Sequence, residues 1–307
     1  MSQAFIFPGQ ASQKVGMGLE LYQQTAIGRQ YFDQANQILG ADIKEITFNG
    51  PEDVLKQTRY TQPAIYIVSV ILGQLLLEAG LQPAAVAGHS LGEYSALTIA
   101  GAFDFATGLE LVKIRAESMQ AAGEAAAGTM AAVMGLSDEA VDEVCRQASI
   151  QGVVIAANYN APSQIVISGA VTAVRKAMEL ATAAGAIKVV ELNVSGAFHS
   201  PLMAPAREKL AAKLATTPIN DLTTPLYANV SALPITHDDE IRRSLIDQLE
   251  NPVRWHRAIT NMEAAGITNF IEVGPGRVLQ GLLRRINRKF GAVGVESLAD
   301  IENLKNV

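Results

Sequence analysis

The chain has 307 residues, of which 49% are hydrophobic and 18% charged: enough apolar material for a sizeable core, and not the composition of a disordered chain. At about 150 residues per domain, the length predicts two domains. The formal net charge of −6 argues against nucleic acid as the main partner, because neutralising phosphates needs a basic face.

The N-terminal MSQAFIFPGQ has no basic leader and no long apolar region, so no signal peptide is expected. AFIF (Ala4 to Phe7) reads as a strand ended by Pro8-Gly9. AIYIVSVILGQLLL stops at Glu78, carries Gln74, and falls short of the roughly 20 residues of a membrane span; a buried helix is expected. AAVA (Ala84 to Ala87) reads as a buried strand, with a helix from Gly92 to near Gly101. Gly108 to Ala122 has Leu109, Val112, Ala116 and Met119 at helical spacing. Gln120 to Gly128, QAAGEAAAG, reads as a linker.

Beyond it, TMAAVMGL reads as a strand and SDEAVDEVCRQAS as a helix capped by Ser137. GVVIAANYN and QIVISG read as two strands, AVTAVRKAMELATAAG as a helix, and IKVVELNV as a strand. This β-α-β-β-α-β order is ferredoxin-like and predicts a small domain, residues 129–196, inserted into a larger one formed by residues 1–128 and 197–307. The alternation then resumes with PLYANV as a strand, DEIRRSLIDQL and VRWHRAITNMEAAG as helices, and a strand, Gly-Pro-Gly turn and helix in TNFIEVGPGRVLQGLLRRI. The overall expectation is an α/β protein, cytoplasmic, with no membrane segment. The lone Cys145 excludes an intramolecular disulfide and reads as a buried structural thiol. The basic run Arg284 to Lys289 reads as a solvated helix end.

Gly88-His89-Ser90-Leu91-Gly92, between a strand and a helix, has the pattern of a nucleophile elbow. A strained turn would lift the Ser90 hydroxyl clear of the sheet, and the helix would point free N–H groups at developing negative charge. An ordinary turn with a capping serine is the alternative. A nucleophilic serine needs a base. Of four histidines, His89 abuts Ser90, His237 reads as surface, and His256 sits on a charged helix face between Arg254 and Arg257. His199 lies where the inserted domain returns to the larger one, which favours it as the base. No acid stands out as a third member; a carbonyl could orient the imidazole instead. No GxxxxGK[ST] phosphate loop is present.

Further motifs occur in a characteristic order: FPGQASQ at Phe7, TQPA at Thr61, GHSLGEYSAL at Gly88, Arg115 in KIRAESMQ, NYNAPSQ at Asn158, GAFHS at Gly196, QLENP at Gln248 and EVGPG at Glu272. With them the chain resembles the malonyl-CoA:acyl carrier protein transacylases over nearly its whole length. The resemblance implies an α/β-hydrolase-like large domain with a ferredoxin-like insertion. It implies ping-pong transfer of malonyl from malonyl-CoA through Ser90 to the phosphopantetheine thiol of acyl carrier protein, with His199 as general base and acid. It implies an oxyanion hole from the N–H groups of Gln10 and Leu91, a carbonyl at Gln248 orienting His199, and Arg115 binding the malonyl carboxylate. It also implies that Phe198 disfavours a branched α-carbon and that Asn160 lies near the substrate; Glu93 matches the family's GHSxGE and reads equally well as an acid in a helix's first turn. No metal or cofactor and a monomer are expected. A serine esterase or thioesterase on the same elbow, or a non-catalytic carrier-docking module, are the competing readings. Ala11 departs from the family's glycine; if the position needs a positive φ, alanine is strained there.

Overall fold

The computed structural model describes residues 2–305. The expectation for Met1 and the outer domain limits at residues 1 and 307 lie outside them. In chain order the strands are β1 (Gln3–Phe7), β2 (Ala85–Gly88), β3 (Gly128–Met134), β4 (Val154–Ala161), β5 (Gln164–Ala170), β6 (Lys188–Glu191), β7 (Leu226–Tyr227), β8 (Pro234–Ile235), β9 (Asn269–Val273) and β10 (Gly291–Val295). They form two sheets, ordered β10-β9-β1-β2-β7-β8 and β4-β5-β3-β6.

The six-stranded sheet is parallel from β10 to β7, and β8 turns back on β7 as a short hairpin. Parallel strands are covered on both faces, so AFIF and AVA can be apolar throughout. The two-residue period still sorts them. Phe5, Phe7 and Val86 join the core built on the helices Thr58–Glu78 and Phe105–Ala125. Ala4, Ile6, Ala85 and Ala87 pack on the other face against Trp255, Met262 and Leu283.

Two expectations need correcting at helix ends. The apolar stretch from Ala64 belongs to a helix of 21 residues, long and apolar enough to cross a membrane, but 78% of its apolar window is buried in the protein. QAAGEAAAG is not a linker: the helix Phe105–Ala125 runs through most of it. Alanine is the strongest helix former, so a segment that looks featureless in chemistry is well suited to helix.

The four-stranded sheet is antiparallel at every pairing. The helices Asp138–Ala148 and Val171–Ala183 pack on it, with Val133, Val141, Val144, Ile165, Ile167 and Val174 forming a separate core. Ser137 caps the first helix as expected, accepting from the Ala140 N–H at 3.3 Å. Cys145 is buried, and burial pushes its thiol up to about 12. The small sheet is tied to the segment before the helix Trp255–Ala264 at β4, where the Val253 N–H donates to Ala157 O and the Tyr159 N–H to Val253 O, each at 2.9 Å. PLYANV is strand only at Leu226–Tyr227; Asn229 lies beyond the strand's end.

Candidate active site

Ser90 follows β2 directly and precedes the helix Gly92–Ala100. Its φ of 53° is left-handed, a conformation that costs an L-residue about 1–2 kcal/mol. The flanking glycines permit the turn through close approach: a Cβ on Gly88 would overlap the Gly92 carbonyl, and one on Gly92 would overlap Phe7 O. The side chain of Asn229 spans the strained residue. Its Oδ1 accepts from the Ser90 N–H and its Nδ2 donates to Gly88 O, both at 2.7 Å.

Ser90 Oγ lies 2.8 Å from His199 Nε2, and His199 Nδ1 lies 2.8 Å from Gln248 O. A carbonyl can only accept, so Nδ1 carries the hydrogen and Nε2 has a lone pair to receive the serine proton. His199 itself has a left-handed φ of 58°. Burial, then the charge of Arg115, holds it down at about 3. The imidazole is therefore neutral at physiological pH.

Arg115 is fully buried. Its Nη1 donates to Gln62 Oε1 at 2.7 Å; its Nη2 donates to Gln248 Oε1 at 2.9 Å and to Ser90 Oγ at 3.0 Å. Its Nε has no partner among the described residues. Burial lowers its pKa, while the Tyr94 and Glu93 side chains oppose that shift. Arginine nevertheless stays charged in proteins. Among the described residues it forms no ion pair with Glu117 or any other carboxylate. A buried cation thus stands beside the serine hydroxyl.

A cavity of about 260 Å³ opens over this group between the two sheets, lined among others by Gln10, Ser90, Asn160, Phe198, His199 and Leu282. Leu91 also lines it, as the residue leading into the helix Gly92–Ala100, so the positive end of that helix faces the cavity. Asn160 Oδ1 bonds His89 Nε2 at 2.7 Å, and His199 is the histidine bonded to the Ser90 hydroxyl. His237 is exposed and His256 faces Asp138. Ala11 has a φ of 81°, the strained conformation anticipated for it. A roomier hollow of about 620 Å³ over Arg175, Glu179 and Val189 holds no such pairing of nucleophile and base.

Sequence reading missed two members of the site and left a third open. Gln62 sat unassigned within TQPA, and Asn229 was read as strand. The sequence leaves Glu93 open between a motif residue and a first-turn acid; it is in the first turn and fully buried. It accepts from Gln248 Nε2 at 2.6 Å and Ser244 Oγ at 3.2 Å. Burial pushes it up to about 7 against these hydrogen bonds and the Arg115 charge. The available signal was its setting, one acid in the otherwise uncharged LGEYSALTIA.

The α/β fold and this serine–histidine pair are the features of an acyl-transfer enzyme. Residues 4–302 match the family model described as acyl transferase domain, and the chain belongs to that family. It is 43% identical to the malonyl CoA-acyl carrier protein transacylase of Bacillus subtilis (strain 168), covering 97% of this chain and 95% of that one. Its fold superposes on the crystal structure of MCAT from Streptococcus pneumoniae with a TM-score of 0.94, at 44% identity and 99% coverage of both chains. A malonyl-transacylase solved in complex with its type II polyketide acyl-carrier protein matches with a TM-score of 0.95, at 37% identity over 100% of this chain and 99% of that one.

Proposed function

We propose that this acyltransferase moves malonyl from malonyl-CoA to the phosphopantetheine thiol of acyl carrier protein, through a malonyl ester on Ser90, for fatty-acid or polyketide synthesis. The observation that carries the reading is Arg115: a buried guanidinium with Nη2 3.0 Å from the Ser90 hydroxyl. Such a cation suits an acyl group that brings its own carboxylate, since a planar guanidinium pairs one through two parallel hydrogen bonds. A generic esterase has no need of it.

In the first half-reaction Ser90 Oγ attacks the thioester carbonyl as its proton passes to His199 Nε2. The N–H groups of Gln10 and Leu91 bind the oxyanion. The C–S bond breaks, the departing thiolate of coenzyme A takes the proton from His199, and malonyl stays on Ser90. The second half-reaction runs the same steps with the carrier thiol as nucleophile and Ser90 Oγ as leaving group. Gln248 O keeps the histidine in the required tautomer throughout. Phe198 crowds a branched α-carbon, and Asn160 contributes to the substrate's surroundings.

We read residues 1–128 and 197–307 as an α/β-hydrolase-like domain and residues 129–196 as a ferredoxin-like insertion. The order β4-β5-β3-β6, antiparallel throughout and flanked by two helices, supports the second assignment. The enzyme acts as a cytoplasmic monomer, without metal, cofactor, nucleic acid or membrane. The test is incubation with malonyl-CoA followed by intact-mass measurement, then addition of carrier protein. A malonyl adduct on the wild type, absent in Ser90→Ala, and passage of malonyl to the carrier are expected. Bulk hydrolysis with no malonyl-carrier would favour the esterase reading and overturn this one.

A further inference from the structure

We infer that Glu93 is a positioning residue for acyl-group selection: it fixes the side-chain amide of Gln248, which in turn holds Arg115 against Ser90. The inference rests on the reading of Arg115 as the malonyl clamp.

Gln248 has two separate duties. Its main-chain oxygen takes the His199 hydrogen; its side chain joins Glu93 to Arg115. Nε2 donates to Glu93 Oε2 at 2.6 Å and to Ser90 O at 3.0 Å, while Oε1 accepts from Arg115 Nη2 at 2.9 Å. The orientation of such an amide matters because its ends are chemically opposite. An ionised carboxylate only accepts and a guanidinium only donates, so a reversed amide would face NH₂ to guanidinium and oxygen to carboxylate. Ser90 O and, at 3.4 Å, Asn229 Oδ1 favour the same orientation, but both are neutral and more distant. A bond to a charged acceptor is about twice as strong as a neutral one. Glu93 is therefore the main anchor of this end. Ser244 Oγ fixes the carboxylate from behind, and Glu93, Gln248 and Arg115 are all fully buried, so water does not replace a lost partner.

The consequence concerns choice between acyl groups. Arg115 Nη2 reaches both Ser90 Oγ and Gln248 Oε1, and moving the amide moves the donor that meets a substrate carboxylate. An acetyl group has no carboxylate for that donor. Loss of the anchor should thus harm malonyl acylation more than acetyl acylation, whereas general loosening of the site would harm both alike.

The experiment compares kcat/KM for Ser90 acylation by malonyl-CoA and acetyl-CoA at about pH 8, above the value of about 7 to which burial raises Glu93. Glu93→Met removes the acceptor and should lower the malonyl/acetyl ratio roughly tenfold. Glu93→Gln keeps an oxygen for Gln248 Nε2 but loses the charge, and should lower the ratio by less than Glu93→Met does. Gln248→Leu retains the main-chain oxygen and should lower the ratio as well, and adding Glu93→Met to it should have little further effect, because both act through one amide. An unchanged ratio in Glu93→Met, or additive losses in the double variant, would overturn the inference. Arg115→Ala run alongside separates the two levels of the argument. A collapsed ratio there with an unchanged one in Glu93→Met rejects the role of Glu93 alone; an unchanged ratio in Arg115→Ala rejects the malonyl clamp itself.

Discussion

Replacing Ala11 with glycine should stabilise the protein, although glycine is ordinarily the costlier residue to order. Ala11 is exposed with φ at 81°, so its methyl group packs little and strains the backbone. The left-handed conformation costs an alanine about 1–2 kcal/mol, which glycine avoids. Against this, glycine gives up more conformational freedom on folding, about 0.5–1 kcal/mol. The strain term wins, leaving a net gain of about 0.5–1 kcal/mol. Unfolding entropy near 2.1 cal/mol/K per residue turns that into a rise in Tm of only about 1–2 °C for a chain this long. Chemical denaturation is therefore the better assay, read as an upward shift in midpoint at constant slope. The Ala11 N–H bond to Gln13 Oε1 at 2.8 Å should survive, because glycine adopts the same φ without strain. Gln10 then keeps its place, and kcat should stay within about twofold. A lowered midpoint would refute the reasoning by showing that the methyl group contributes more than its backbone strain costs.

Asn229→Ala leaves the Ser90 N–H and Gly88 carbonyl without their partner, at roughly 1–3 kcal/mol each. Stability and kcat should both fall, with Asn229→Asp intermediate because it keeps the acceptor for Ser90; equal losses in both variants would contradict this. Phe198→Ala should raise use of methylmalonyl-CoA relative to malonyl-CoA by up to about 1–3 kcal/mol of discrimination, measured as a ratio of kcat/KM, and an unchanged ratio would remove Phe198 from selectivity. Arg284, Arg285, Arg288 and Lys289 are exposed at the end of the helix Val278–Ile286, whose Leu282 lines the cavity. Their reversal to glutamate should raise the KM for an acidic carrier protein and leave that for malonyl-CoA unaltered. His199, held at about 3 by burial and Arg115, should give acylation no acid limb near 6.5, and such a limb in the pH profile would reject it as the buried base. The same depression destabilises the fold in acid: between pH 6.5 and 3 the unfolded chain binds a proton that the folded one refuses, so stability falls as pH drops through that window. Glu93, raised to about 7, acts in the opposite sense, its contribution present below 4.5 and lost as pH rises through 7.

The chemistry was legible in sequence where it depends on local pattern. GHSLG lies between a strand and a helix as its spacing requires, and the order of apolar runs anticipates the small sheet and β1, β2, β7 and β9 of the large one, but not β8 and β10. His199 could be singled out because it stands where the chain returns from the small sheet. What could not be read was anything settled by long-range approach. Asn229 reaches Ser90 across 139 positions and Gln248 reaches Glu93 across 155, and no periodicity encodes such meetings. Glu93 shows the limit well. An acid in a helix's first turn suits a solvated surface, and only tertiary packing decides that this turn is buried. QAAGEAAAG failed for a different reason: small residues carry no amphipathic pattern, so the helix there shows only in its propensity.

If Arg115 binds the malonyl carboxylate as proposed, the lack of an acid on His199 follows from the charge that the site would have to keep available. A carboxylate on His199 Nδ1 would raise the basicity of the imidazole, but it would also bring an anion close to Arg115. Two carboxylates would then compete for one guanidinium, and the substrate's would bind to a cation already compensated. A carbonyl avoids the conflict. Gln248 O fixes the histidine tautomer at 2.8 Å without adding charge. The one buried acid nearby, Glu93, meets Arg115 through the neutral amide of Gln248, with no ion pair between them. Among the described residues Arg115 keeps an unpaired Nε, and its Nη2 reaches the Ser90 hydroxyl. Its field also lowers the proton affinity of His199, and a bound malonyl carboxylate would cancel part of that effect. On the proposed roles of Arg115 and His199, occupancy by an acyl group that carries a carboxylate would strengthen the base that starts its transfer, and an acetyl group would not.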